Sequence, residues 1–218
     1  MQQRTPVIAT YKIITFVVFI CAALITSLFV YHMSQQQKTA IIDDGNSLIF
    51  PVGRDMKSVQ LVNATGEDFT DRNLMNHWTL LFFGFTHCAS VCPTTLEMIS
   101  KAYPELHQSF PNLQVVLVSL DPERDTKVKL QKYTQSFHPD FIGVSGKIEN
   151  VRKLQSQLGV YSAPDKSTGN SSNYQLQHTA SIMLVNPQGK WVGMFKFGMQ
   201  PDAFTQAVKS SVTSLSHA

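Results

Sequence analysis

Three residues in this sequence could share one chemistry. Cys88 and Cys92 lie four positions apart in His87-Cys88-Ala89-Ser90-Val91-Cys92-Pro93, and His178 stands ninety positions beyond Cys88. A thiolate is both a nucleophile toward disulfides and a soft metal ligand. Two thiolates suit Cu(I); with an imidazole added, the set also holds Cu(II), or Zn(II) in a tetrahedral site. The cysteines alone could instead exchange with a client disulfide, one sulfur attacking and the other resolving. A structural bridge between them would close a very short loop and so stabilise little. The spacing is C-x-x-x-C, one residue longer than the C-x-x-C of ordinary dithiol redox motifs. The third cysteine, Cys21, sits in an apolar run and reads as a small apolar side chain.

The elements around these residues must bring them together. Thr79 to Phe85 is a nearly continuous apolar run, which suits a strand buried on both faces. Pro93 suits the first position of a helix, and Leu96, Met98, Ile99, Ala102, Tyr103 and Leu106 continue at helical spacing. Strand, cysteine loop, helix is therefore the expected order. A helix N-terminus, with its unpaired N–H groups and partial positive charge, stabilises a thiolate. Downstream, Leu113–Ser119 reads as a second buried strand, and Asp121 to Thr126 leads into a helix to about Phe137, with Asp125 or Thr126 as its cap. Phe141–Val144 is a short strand, Ile148–Leu158 a helix ended by Gly159, and Tyr161–Gln177 a long polar loop. Ala180–Val185 and Lys190–Phe197 are strands joined by Asn186-Pro187-Gln188-Gly189, and Pro201 opens the last helix. Upstream, Val59–Val62 and Glu67–Thr70 form a hairpin about Asn63-Ala64-Thr65-Gly66. This order predicts an α/β fold: a mixed, thioredoxin-like sheet flanked by helices, with an N-terminal hairpin added. In such a sheet the loop entering the strand after His178 comes close to the dithiol.

Other candidates carry less. His87 adjoins Cys88, and neighbours in extended chain point opposite ways, so it reads as outlying or solvent-facing. Met183, Met194 and Met199 could be thioether ligands, but their strand context favours packing. Asp121 and Asp125 read as a helix cap and a solvated loop rather than an acidic partner surface. With a formal net charge of +3 and no Lys/Arg cluster, nucleic-acid binding has no support.

The N-terminal region reads as a membrane anchor. Residues 1–12 contain Arg4 and Lys12 and no acid, and residues 13–31 carry no charge. Nineteen residues give about 28 Å of helix, close to the thickness of a bilayer core. No small-x-small site closes this segment, so an uncleaved single-pass anchor is expected, with the N-terminus cytoplasmic. Residues 32–54 read as a flexible tether and residues 55–218 as the soluble domain.

Phe83-Gly84-Phe85-Thr86-His87-Cys88-x-x-Val91-Cys92-Pro93-Thr94-Thr95-Leu96 resembles the signature of the Sco/SenC family, membrane-anchored thioredoxin-like proteins of cytochrome c oxidase assembly. The resemblance extends through Ser119-Leu120-Asp121-Pro122-Glu123-Arg124-Asp125-Thr126, the His178 segment and Asn186-Pro187-Gln188-Gly189-Lys190. It implies a copper site, Cu(I) or Cu(II), of Cys88, Cys92 and His178. It implies a metallochaperone acting on oxidase subunit II or its assembly factors, supplied by a copper donor and a thiol reductant. The alternative it allows is a thiol–disulfide oxidoreductase with Cys88 and Cys92 as the redox-active pair. The expected location is the bacterial inner membrane with the domain in the periplasm, the alternative being the mitochondrial inner membrane facing the intermembrane space. Two departures stand out. Ala89-Ser90 replaces the family's usual Pro-Asp, and Gln177 replaces the usual Asp before the histidine, so two carboxylates are missing near the site.

Overall fold

The computed structural model describes residues 6–37, 42–165 and 174–216 and divides the chain into two compact units, Met1–Ala40 and Ile41–Ala218. In the first unit a single helix, α1 (Pro6–Gln37), contains an 18-residue window, Ile13–Val30, of mean hydropathy 2.8 in which no side chain is buried. By length and composition it can cross a membrane. The Thr26 hydroxyl bonds back to the carbonyls of Ala22 and Ala23, so it adds no unmet polar group to that surface.

The second unit is built on one nine-stranded sheet. Its strands are β1 (Ile42–Asp43), β2 (Ser47–Asp55), β3 (Gln60–Asn63), β4 (Asp68–Thr70), β5 (Trp78–Gly84), β6 (Leu113–Ser119), β7 (Ile142–Ser145), β10 (Ile182–Val185) and β11 (Lys190–Phe195). They lie in the order β1-β2-β11-β10-β5-β6-β7-β3-β4. Pairing is parallel between β5, β6 and β7 and antiparallel elsewhere. Every residue of β5 is buried, and the pleat sends alternate side chains to two separate cores. Leu80 and Phe82 join one core with Leu96, Ile99 and Leu106 of α3 (Val91–Ser109), Leu130 of α4 (Lys127–Gln135), and Phe204 and Val208 of α6 (Pro201–Ser216). Leu81 and Phe83 join the other with Val151 and Leu154 of α5 (Ile148–Gln157). A short helix, α2 (Asp71–Leu74), links β4 toward β5, and β8 (Ser162–Pro164) pairs with β9 (Leu176–His178) in a separate two-stranded ribbon. This is the thioredoxin-like mixed sheet expected from the order of elements.

Three local expectations are corrected. The tether read over residues 32–54 is partly strand: β2 pairs with β11, and Ile49 and Phe50 are only 2% and 5% exposed. The sequence disguises it because Pro51 interrupts the apolar run. Pro51 falls where the register against β11 shifts, between Ile49↔Gly193 and Arg54↔Trp191, and a proline is tolerated at such an irregularity. The long loop read over Tyr161–Gln177 begins and ends in the β8–β9 ribbon; residues 166–173 lie outside the described residues. Asp121 and Asp125, read as cap and solvated loop, are each 3% exposed, and of the two caps expected for α4 the Thr126 hydroxyl is the one that forms. The hairpin about Asn63–Gly66 forms as expected: the Asn63 side chain accepts from the amides of Thr65 and Glu67, and Gly66 takes φ +99°, open to glycine without a Cβ clash.

Candidate metal centre

The register of β10 on β5 decides where the site lies. Ile182 pairs with Phe82 in antiparallel sense, so the end of β5, from which the cysteine loop departs, adjoins the start of β10, into which the His178 segment leads. Groups ninety residues apart in sequence thereby meet at one edge of the two central strands. The His178 ring stands edge-on to Phe82 and Phe85, with centroids 6.0 Å apart in each case.

Helix α3 begins at Val91, two residues before Pro93, with Ser90 as its N-cap. Ser90 makes no side-chain cap bond; the amide of Cys92 instead donates to the Cys88 sulfur at 3.3 Å. The first thiol thus does the capping that a serine oxygen often does. Cys92 is buried and Cys88 half-buried, and both are free thiols. The Cys92 sulfur lies 3.4 Å from His178 Nε2, and ligand atoms of Cys88, Cys92 and His178 all fall within 4.8 Å of one another. His178 Nδ1 is 3.0 Å from the Thr179 carbonyl, which can only accept, so Nδ1 carries the proton and the Nε2 lone pair faces the sulfurs. Gly84 is needed beneath them, since a Cβ there would sit 3.0 Å from the Cys92 sulfur and 3.1 Å from Leu117.

The two thiols are electrostatically unequal. The hydrogen bond from Cys92 lowers Cys88 to about 4, with the Cys92 amide contributing and burial opposing. The same bond to Cys88, then burial, pushes Cys92 upward. The pair therefore holds one thiolate and one thiol at neutral pH, sharing a proton much as two coupled acids do. A soft cation that replaces that proton would find a ready thiolate and one more to be formed.

A second set of residues braces this centre. The buried Asp125 carboxylate accepts from the Thr86 amide (3.1 and 3.2 Å), the Thr86 hydroxyl (2.6 Å) and the Ser119 hydroxyl (2.6 Å). Ser119 in turn accepts from the Asp121 amide, and Asp121 takes the Arg124 Nε–H and the Tyr174 hydroxyl, the latter at 2.7 Å. His87 sits with its Nδ1 3.8 Å from Asp125 and 3.2 Å from the Thr86 hydroxyl, outside the sulfur–imidazole set. Met183 is core, and Met194 and Met199 pack against the two cores. Ala89, Ser90 and Gln177 are exposed and uncharged. Asp121, Asp125 and Tyr174 were not legible as site residues, because the contacts that tie them to the cysteine loop and the His178 segment join residues 39 to 53 positions apart.

Comparison with known proteins identifies the family. The chain is 31% identical over 172 residues to a Stutzerimonas stutzeri protein described as a candidate copper-binding protein, covering 78% of this chain and 83% of that one. It is 34% identical over 137 residues to the mitochondrial SCO2 homolog of Danio rerio, covering 62% of this chain and spanning only 49% of the fish protein. Bradyrhizobium japonicum ScoI, solved with copper bound, superposes with a TM-score of 0.64 at 31% identity, covering 73% of this chain and 99% of that one. The SCO1/SenC family model matches residues 54–213, which contain the β5–α3 junction and the His178 segment, and the chain belongs to that family.

Proposed function

We propose that this protein binds one copper ion through Cys88, Cys92 and His178 and passes it to the dinuclear copper centre of cytochrome c oxidase subunit II. Convergence of three ligand atoms within 4.8 Å carries the reading. Two sulfurs and an imidazole with its lone pair turned inward fit Cu(I), and the imidazole extends the set to Cu(II). A family whose relatives include a copper-bound ScoI supports copper over zinc. Copper here is cargo, and a half-exposed first thiol is suited to giving it up by ligand exchange. The apolar helix α1 supports a single-pass anchor, with the N-terminus cytoplasmic and the domain in the periplasm; the mitochondrial intermembrane space is the alternative compartment. The uncharged Ala89, Ser90 and Gln177 remove local negative charge, which makes the empty site less attractive to free cations at long range.

The test is titration of the reduced full chain, in detergent, with Cu(I) and Cu(II). One copper per chain is expected, with a sulfur-to-Cu(II) charge-transfer band that disappears in His178→Ala and in either cysteine variant. Binding of Cu(II) that ignores His178 would remove the imidazole from the site.

One observation favours a second reading. A thiolate at Cys88 beside a protonated Cys92 is also the arrangement of a disulfide reductant. Cys88 would attack a client disulfide to form a mixed disulfide and release one client thiolate. Cys92 would then lose its proton, displace the second client sulfur and leave a Cys88–Cys92 disulfide for an external thiol reductant to restore. Trapping of a client by Cys92→Ala, with client maturation unaffected by His178→Ala, would favour this reading over copper delivery.

A further inference from the structure

The imidazole and the sulfurs reach the site on separate pieces of structure. His178 ends a ribbon of only three residue pairs, Ser162↔His178, Ala163↔Gln177 and Pro164↔Leu176, apart from the nine-stranded sheet. A two-stranded ribbon is marginal by itself, so its position depends on what ties it down. Near Ser162 the tie is a bond from Gln155 Nε2 to the Ser162 hydroxyl. On the other strand Gln175 Nε2 donates to the His87 carbonyl at 3.2 Å. Leu176 packs against both cores, and the most connected polar tie lies at Tyr174. Its hydroxyl donates to Asp121 Oδ1 at 2.7 Å, the Arg124 guanidinium carbon lies 3.6 Å over its ring, and Arg124 Nε–H donates to the other Asp121 oxygen. The three side chains close a triangle of a charged hydrogen bond, a cation–π contact and an ion pair. Asp121 and Arg124 are largely buried in it, with side chains 2% and 15% exposed.

This triangle stands on the turn between β6 and α4. From Asp121 the hydrogen bonds continue through Ser119 to Asp125 and from Asp125 to Thr86, the residue that leads into His87 and Cys88. One short turn, residues 119–125, is therefore the common reference for both halves of the ligand set. Resting on the copper reading above, we propose that Tyr174, Asp121 and Arg124 form a clasp that holds the β8–β9 ribbon closed and so positions His178 over the two sulfurs. The clasp is made of residues other than the three ligands. It acts by setting the fraction of time the imidazole faces the thiols: closed, the site has three ligands; open, it has two sulfurs. Its release is then the step that loosens copper for transfer without moving the cysteines.

The test compares the full chain with Tyr174→Phe, which keeps the ring over Arg124 and removes only the bond to Asp121, and with Asp121→Asn. In the metal-free protein, hydrogen exchange at the Thr179 and Asp165 amides, which donate to Tyr161 and Gln175, should accelerate by about tenfold in Tyr174→Phe, the size expected for one hydrogen bond to a charged acceptor. Core amides of β5 should not change. Copper release to a chelator should accelerate by about the same factor where His178 is present and stay unchanged in a His178→Ala background. Unchanged ribbon exchange in both variants overturns the clasp, as does equal acceleration of release with and without His178. Wild-type release that is already indifferent to His178→Ala overturns the copper reading instead, and ribbon exchange then decides the clasp by itself.

Discussion

Cys88 and Cys92 are chemically different although the sequence presents them as a pair. Cys88 sits at the start of α3 and accepts the Cys92 amide, while Cys92 is buried on the core side against Gly84 and His178. The consequence is a thiolate at Cys88 well below the pH where a free thiol ionises. In a Cys21→Ser background, which removes the exposed thiol of α1, alkylation of the reduced protein by iodoacetamide should fall at Cys88 and change little from pH 8 to about 5, following its value of about 4. A rate falling tenfold per pH unit across that range would show an ordinary thiol and sink the assignment. The linkage has a definite sign. Folding lowers this group from 9.0, so its contribution to stability is complete above that value and is lost as pH falls through about 4. Metal-free protein should therefore lose stability on acidification before the surface carboxylates titrate.

At the scale of elements, the β6–α4 turn matters more than its sequence suggests. Ser119 and Asp121 to Thr126 look like a polar connection with a helix cap, and the cap is real at Thr126. The rest of the turn is turned inward. Asp125 gathers three donors from Thr86 and Ser119, all of which lose their acceptor if the carboxylate is removed. Asp125→Ala should cost about 2–4 kcal/mol by chemical denaturation, the range for leaving buried donors and a charge network unmet. Asp125→Asn, which keeps an acceptor, should cost clearly less. Equal losses would mean that the second acceptor oxygen and its charge, which asparagine lacks, carry the whole effect. Burial of these acids was not readable because a polar run between strand and helix has the same composition whether it faces water or another loop.

For the whole molecule, the boundary of the folded unit is the testable point. A chain starting at Ile41 retains β2 and should fold with a transition close to that of the same unit in the full chain. One starting at Asp55 loses Ile49 and Phe50, each worth about 1.5–3 kcal/mol when buried, and bares β11 as an open edge. Its melting temperature should fall by roughly 10 °C or more; matching transitions would make β2 dispensable. The sequence by itself determined what is local. Continuous apolar runs mark β5 and β6, helical spacing marks α3, an uncharged run marks α1, and two cysteines at a helix start point to sulfur chemistry. It also allowed His178 to be named, because strand order predicts which loop returns to the end of β5. Only the tertiary structure decided what depends on register and burial: that β2 joins the sheet despite Pro51, that Cys88 is the thiol lowered and Cys92 the one raised, and that Asp121, Asp125 and Tyr174 bond the His178 segment and the cysteine loop to one turn. Those contacts join residues dozens of positions apart, and hydrogen bonds between distant side chains leave no periodic trace in a single chain.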